Sequence, residues 1–154
     1  MSSEFLDGVS LREMTVADYP AVRSSWEAEP GINLSSVDTL ASVGRLLSHS
    51  PGISLVAEKD KRIIGSLLGS QDTRRGYVHH LVVDPAFRGF GLGRLLMEKV
   101  LSCFVAAGIP KVHLFVMRSN PEVLEFYRHL GWKERTDLIM FSRDIPAAAV
   151  NIRE

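Results

Sequence analysis

A chain of 154 residues can bury a substantial core and is too short for two ordinary domains, so one domain over residues 1–154 is expected. Apolar residues at 45% and charged residues at 23% are the balance of a water-soluble globular protein. Eighteen Lys plus Arg against eighteen Asp plus Glu leave a formal net charge of zero, which excludes a global field recruiting nucleic acid or anionic membrane.

From the N-terminus, Val9 to Met14 alternates apolar and polar residues and predicts a first strand. Asp18 is placed to cap a helix that tolerates Pro20 in its first turn and carries Val22 and Trp26 on one face. Pro30-Gly31 ends it. Ser35 or Ser36 is placed to cap a second helix, with Leu40, Val43, Leu46 and Leu47 at helical spacing and His49 to Gly52 as its stop. Ile53 to Ala57 and Ile63 to Gly69 predict two strands joined by a hairpin turn at Asp60-Lys61. Tyr77 to Val83 is the next strand, followed by a glycine-rich turn and a long helix from about Leu92 to Ala107, closed by Gly108 and Pro110. Val112 to Met117 predicts a strand, Pro121 to Leu130 a short helix, Leu138 to Arg143 a last strand, and residues 146–154 a tail. The order β-α-α-β-β-β-α-β-α-β combines an antiparallel meander with a right-handed parallel crossover around the long helix. The fold class is therefore α/β, with a mixed sheet and helices on its faces.

Cys103 is the only cysteine, which excludes an internal disulfide and a cysteine-based zinc site and suits a reducing cytoplasm. Its spacing with Leu92, Leu96 and Val100 predicts a place in the core. No window approaches a membrane span and no basic-then-apolar leader opens the chain, so a cytoplasmic location is expected.

The most informative stretch runs Asp84-Pro-Ala-Phe-Arg-Gly-Phe-Gly-Leu-Gly-Arg94, between a β-branched strand and the long helix. A glycine-rich turn at a helix N-terminus offers unpaired N–H donors and the positive end of the helix dipole to a phosphate. Arg88 and Arg94 add fixed positive charge. Spacing separates three nucleotide loops. Gly93 is followed by Arg94 and Leu95, not by Lys and Ser/Thr, and Gly89, Gly91 and Gly93 alternate instead of forming G-x-G-x-x-G. The remaining pattern, Arg88-x-x-Gly91-x-Gly93, resembles the pyrophosphate loop of the GNAT superfamily of N-acetyltransferases. One strand later, Ser119-Asn-Pro-Glu-Val-Leu-Glu-Phe-Tyr-Arg-His-Leu-Gly-Trp132 is similar to that family's Asn, helix, Phe-Tyr, Leu-Gly-aromatic signature. Asp72 to Gly76 has the Asp-x-x-Arg-Gly form of its small bacterial-type members, whose acceptor is unassigned. Element order agrees too, so the resemblance spans nearly the whole chain.

The resemblance implies a central mixed sheet of about six or seven strands with about four helices, its fourth and fifth strands splayed around acetyl-CoA. It implies that the backbone of Leu81, Val82 and Val83 pairs with the pantetheine arm as an added strand, and that an amide of Val82 or Val83 polarises the thioester carbonyl. It places the pyrophosphate on the amides of Gly89, Phe90, Gly91, Leu92, Gly93 and Arg94 beside Arg88, and the Asn120 side chain on the pantetheine. It makes Tyr127 the general acid for the departing thiolate, a task a phenol can perform while protonated at neutral pH. Without the resemblance, Tyr127 reads as a packed helix aromatic and Asn120 as the N-cap before Pro121.

The reaction implied is direct attack of a primary amine on the thioester. A lysine-like amine with pKa near 10.4 costs about 4.6 kcal/mol to neutralise at pH 7, an α-amine near 8 only about 1.4. Some relatives carry a glutamate base five residues before the asparagine, where this chain has Phe115, and others an acid where it has Tyr77. Histidine occupies the position of His79 in an arylalkylamine-acetylating branch, which motivates His79 as the proton acceptor. Alternation puts Tyr77, His79, Leu81 and Val83 on one face and His80 on the other, so neighbouring histidines could not grip one metal; a bulge would invert the parity and make His80 the candidate, and water is a third acceptor. No ligand spacing among the five histidines supports a metal site. Fold analogy frames the acceptor with Trp26, Glu27, Glu29 and Ile32 and with Glu134 to Asp137, whose acids could attract a cationic amine. Homodimers are common in such a family, though nothing in the chain fixes one. The competing reading is an acyl-CoA-binding regulatory domain without turnover.

Overall fold

Runs of β-branched and apolar residues pair into one sheet, and the amphipathic segments between them cover its faces. The computed structural model describes residues 3–146. These divide into two units, Met1–Phe115 and Val116–Glu154.

The first unit opens on a four-residue helix, α1 (Ser3–Leu6), which the sequence pattern did not announce. Strand β1 (Ser10–Glu13) pairs antiparallel with β2 (Leu55–Lys59), Leu11 opposite Ala57. Asp60 and Lys61 both adopt left-handed backbone, φ 51° and 64°, as a two-residue hairpin demands, and return the chain into β3 (Arg62–Gln71). β3 pairs antiparallel with β4 (Gly76–Val83), which pairs parallel with the three-residue β5 (Val112–Leu114). Sheet order is β1-β2-β3-β4-β5, so the described residues form a mixed sheet of five strands, fewer than the six or seven implied.

Helices α2 (Tyr19–Glu27), α3 (Leu40–His49) and α4 (Leu92–Ala106) fill the connections. Asp18 precedes α2 without capping it: its carboxylate accepts two hydrogen bonds from Arg12, each 2.8 Å, and one from the Thr15 amide. Thr39 caps α3, accepting from the Ser42 amide, while Ser35 caps a separate 3-10 turn over Ser36–Asp38. The buried stripe of α4 is Leu92, Leu96, Val100 and Phe104 with Met97 beside it. Cys103 lies one residue off that four-residue repeat and is only half-buried, a correction to the core position expected of it.

Each face of the sheet has its own cover. A Cβ on Gly65 would stand 3.2 Å from Leu96 and 3.3 Å from Leu92, so the Gly65, Leu67, Gly69 side of β3 faces α4. Ser66, Leu68 and Ser70 face the other way, where Met14, Val22, Trp26, Val43, Val56, Leu68 and Val82 form a buried cluster.

The second unit holds α5 (Pro121–His129), begun by Asn120, whose side-chain oxygen accepts from the Val123 amide. The predicted strand at Leu138 to Arg143 does not form: the segment is irregular, with Ile139 82% and Phe141 91% exposed. Alternation supplies a face but not a partner, and no ladder pairs with these residues. Of the predicted tail, residues 147–154 lie outside the described residues. Among the described residues no helix is long and apolar enough to cross a membrane.

Candidate active site

β4 delivers the chain into the glycine loop, and its pairing decides what its side chains can reach. β5 ends at Leu114 and pairs only with Gly76, Tyr77 and Val78, so β4 has no strand on that side from His79 onward, while Leu81, Val82 and Val83 remain paired with Leu67, Ser66 and Gly65 of β3. Asp84 then caps a 3-10 turn over Pro85–Phe87, accepting from the Ala86 amide and from Arg62 at 2.6 Å.

Gly89 and Gly91 sit at φ +84° and +88°, and nothing lies within 4 Å of where a side chain would begin on either. Left-handed backbone and open space together admit glycine and a close ligand. Gly91 is the N-cap of α4 and so supplies no capping side chain, in contrast to Thr39 at α3 and Asn120 at α5; the first intrahelical bond runs from the Leu95 amide to the Gly91 carbonyl. Leu92, Gly93 and Arg94 therefore form a first helical turn whose amides an anion can take. This cradle fits a diphosphate.

The flanking cations are engaged. Arg88 donates to Glu29 at 2.5 Å and, through Nε, to the Val83 carbonyl at 2.9 Å. Arg94 pairs with Glu98 one turn along α4. The Phe90 ring stacks on Phe5 of α1 at a centroid distance of 4.0 Å. Val82 and Arg88 line a common cleft of about 630 Å³ with Ala28, Glu29 and Lys61, whereas Gly89 to Arg94 are not among its walls.

The histidines overturn simple alternation. Every β3 residue from Gly65 to Gln71 has a partner on β4, but Leu68 pairs with His80 and Gly69 with Val78, which leaves His79 as the extra residue of a β-bulge. His79 shares a 2.8 Å hydrogen bond with Ser70, and the His80 ring meets Trp26 edge-on at 4.8 Å. Ser70 and Leu68 lie on one side of β3, so both histidines project toward α2 and α3, a correction to the opposite faces expected. Leu81 and Val83 project toward α4, so His79 does not share their face. Among the described residues, no group of three or more His, Cys, Asp or Glu could hold a metal.

Desolvation first, and the neighbouring His80 second, push the His79 imidazolium below its ordinary pKa against an opposing pull from Asp38, although the residue keeps an exposed face. Its ring stacks with Tyr77, and Tyr77 in turn leans on His113 across the β4–β5 pair. His80 is tied to a residue the sequence reading passed over: its Nε2–H donates to the Asp38 carboxylate at 2.8 Å. Ser35-Ser-Val-Asp38 has the form of a capping box, but no pattern links position 38 to position 80.

In the second unit, Asn120 and Tyr127 share α5, and Tyr127 packs against Phe126 and Trp132. Burial pushes the Tyr127 phenol up to about 12, which holds its proton on at neutral pH. The acceptor frame drawn from fold analogy is altered. Trp26 is fully buried, Ile32 packs against the core cluster, and the acids have arginine partners: Glu27 with Arg23, Glu29 with Arg88, Glu134 with Arg128 and Asp137 with Arg135.

Residues 10–132 match the Acetyltransferase (GNAT) family. A protein named acetyltransferase from Pectobacterium atrosepticum is 34% identical over 135 residues, covering 88% of this chain and 94% of its own. Among solved structures, a Trypanosoma brucei acetyltransferase aligns with TM-score 0.64 at 26% identity, covering 88% of this chain and 99% of that one. AAC(6')-Iy, in complex with the bisubstrate analogue CoA-S-monomethyl-acetylneamine, aligns with TM-score 0.71 at 18% identity, covering 90% and 99%.

Proposed function

This chain belongs to the GNAT acetyltransferase family, and from that premise we propose that it moves the acetyl group of acetyl-CoA onto a primary amine. The observation that carries the reading is the open, left-handed glycine loop on the side-chain-uncapped N-terminus of α4, one 3-10 turn after a strand whose C-terminal half has no partner on the β5 side. Acetyl-CoA supplies an activated thioester. The amides of Gly89 to Arg94 bind its diphosphate, and Arg88 exchanges Glu29 for a phosphate oxygen. The backbone of Leu81 to Val83 extends along the pantetheine, and a Val82 or Val83 amide polarises the carbonyl. The Asn120 oxygen is occupied by the Val123 amide, which leaves its NH₂ group to donate to the same arm. Tyr127, protonated at neutral pH, donates to the departing sulfur.

The capture of AAC(6')-Iy with a CoA-linked acetylneamine supports including aminoglycosides among the acceptors to be tried. The deciding assay follows CoA release with polyamines, aminoglycosides, amino acids and peptide N-termini. Amine-dependent release is expected with at least one class, and Tyr127→Phe, which keeps the ring, should lower turnover about 10²- to 10⁴-fold with unchanged acetyl-CoA affinity. No amine-dependent release in the whole panel contradicts transfer, and near-normal turnover of Tyr127→Phe when chemistry limits reduces Tyr127 to packing.

A further inference from the structure

An amine that attacks a thioester must shed a proton, and the strand positions where carboxylate bases stand in relatives hold Tyr77 and Phe115 here. A carboxylate nevertheless reaches β4, from the 3-10 turn ahead of α3. Asp38 is 5% exposed at its side chain and His80 16%, and the two are joined at 2.8 Å. The Asp38 carboxylate also accepts the Ser35 amide, and the Asp38 carbonyl accepts from the Tyr19 hydroxyl at 2.6 Å and from Arg23 at 2.9 Å. The turn therefore holds the carboxylate through the Ser35 amide, while helix α2 fixes the Asp38 backbone. A buried carboxylate that receives an imidazole N–H fixes the tautomer and leaves the lone pair on Nδ1, where the base function must lie. It also favours the imidazolium that forms when Nδ1 takes a proton.

Resting on the acetyl-transfer reading above, we propose that His80 accepts the proton of the attacking amine and that Asp38 is its positioning residue. His80 alternates with Leu81 and so lies with Val82 on the side of the sheet toward α2 and α3, and the bulge brings His79 onto that same side. The proton shed by the amine nitrogen as it bonds to the acetyl carbon goes to Nδ1. The electron pair of the broken C–S bond leaves on sulfur with one proton from Tyr127, and exchange with water resets both side chains. Charged and titratable groups around the His80 ring are Asp38 from the turn, Tyr19 and Arg23 from α2 through the Asp38 carbonyl, and His79 from β4. Arg23 is itself paired with Glu27, so the Asp38 carboxylate is the charge in direct contact with the ring.

The test compares wild type with Asp38→Asn, Asp38→Glu, His80→Gln and His79→Gln by two readouts. The first is the NMR tautomer signature of the His80 ring in the free protein. A carboxylate can only accept from Nε2–H, whereas asparagine can also turn its NH₂ group to the ring, so the Nε2–H tautomer should lose its preference in Asp38→Asn and recover in Asp38→Glu. The second is the pH dependence of kcat/KM with the best amine of the panel. Asp38→Asn should lower it about 10- to 100-fold and move its acidic limb to lower pH, and His80→Gln should abolish that limb. Calorimetric affinity for acetyl-CoA should not change in either. A purely structural role for Asp38 lowers the Tm and leaves both the tautomer and the acidic limb in place, which overturns the proposal. Loss of the limb in His79→Gln, with retention in His80→Gln, overturns it as well. No transfer by wild type to any amine sinks the acetyl-transfer reading itself; normal wild-type transfer with an unmoved limb in Asp38→Asn sinks the pair alone.

Discussion

On the α4 side of the sheet the buried side chains include Leu67, Leu92, Leu96, Met97, Val100 and Phe104, and among the described residues nothing ionisable is buried with them. On the α2 and α3 side, comparable depth holds Asp18, Asp38 and Ser66, with the His80 ring against Trp26. The apolar side follows from one rule, that area removed from water stabilises at roughly 25 cal/mol per Å². The polar side obeys a stricter one, since each buried charge costs desolvation and is tolerated only when paired. Arg12 meets that condition for Asp18, and His80 with the Ser35 amide meets it for Asp38. The difference teaches where to look for chemistry: the apolar face carries the fold, and the face that buries charge carries groups able to move a proton.

Substitutions on the two sides should therefore fail in different ways. Phe104→Ala removes a large side chain that is 1% exposed and should cost about 3–5 kcal/mol in urea unfolding, equally at neutral and acidic pH. Arg12→Met should cost about 2 kcal/mol at neutral pH, because it strands the Asp18 carboxylate while keeping much of the volume. That loss should depend on pH. Hydrogen bonds from Arg12 hold the Asp18 carboxyl below its ordinary range, so its stabilisation is complete above the unfolded value of about 3.9 and fades as pH falls through the folded value. The gap between Arg12→Met and wild type should close over that acidic window; a gap constant with pH would assign Arg12 to packing. The smallest effect is expected for Thr39→Ala, about 1 kcal/mol from the lost cap of α3.

Local patterns made much of this molecule legible. The hairpin at Asp60-Lys61, the start of α4 at Leu92 and the start of α5 at Pro121 each follow from chemistry held within a few residues. What escaped depended on partners distant in sequence. The faces of His79 and His80 turn on whether β4 carries one residue more than β3 between Leu68 and Gly69, which alternation along a single strand cannot show. Asp38 meets His80 across 42 positions. Leu138 to Arg143 has strand composition, yet a strand is a pairing, and composition does not provide one. The proposed roles of the loop and of Tyr127 rest on resemblance, where the spacing of a few residues is itself the signal.

The central claim is that the glycine loop at the start of α4 receives acetyl-CoA, and calorimetric titration of wild type and Gly91→Val with acetyl-CoA tests it most directly. Gly91 lies at φ +88° with open space before it, so a branched side chain both strains the turn and fills the approach of a phosphate. The account predicts saturable binding by wild type and at least tenfold weaker binding by a Gly91→Val protein that remains folded by Tm. Equal affinity of the two proteins, or no binding by wild type, would contradict it.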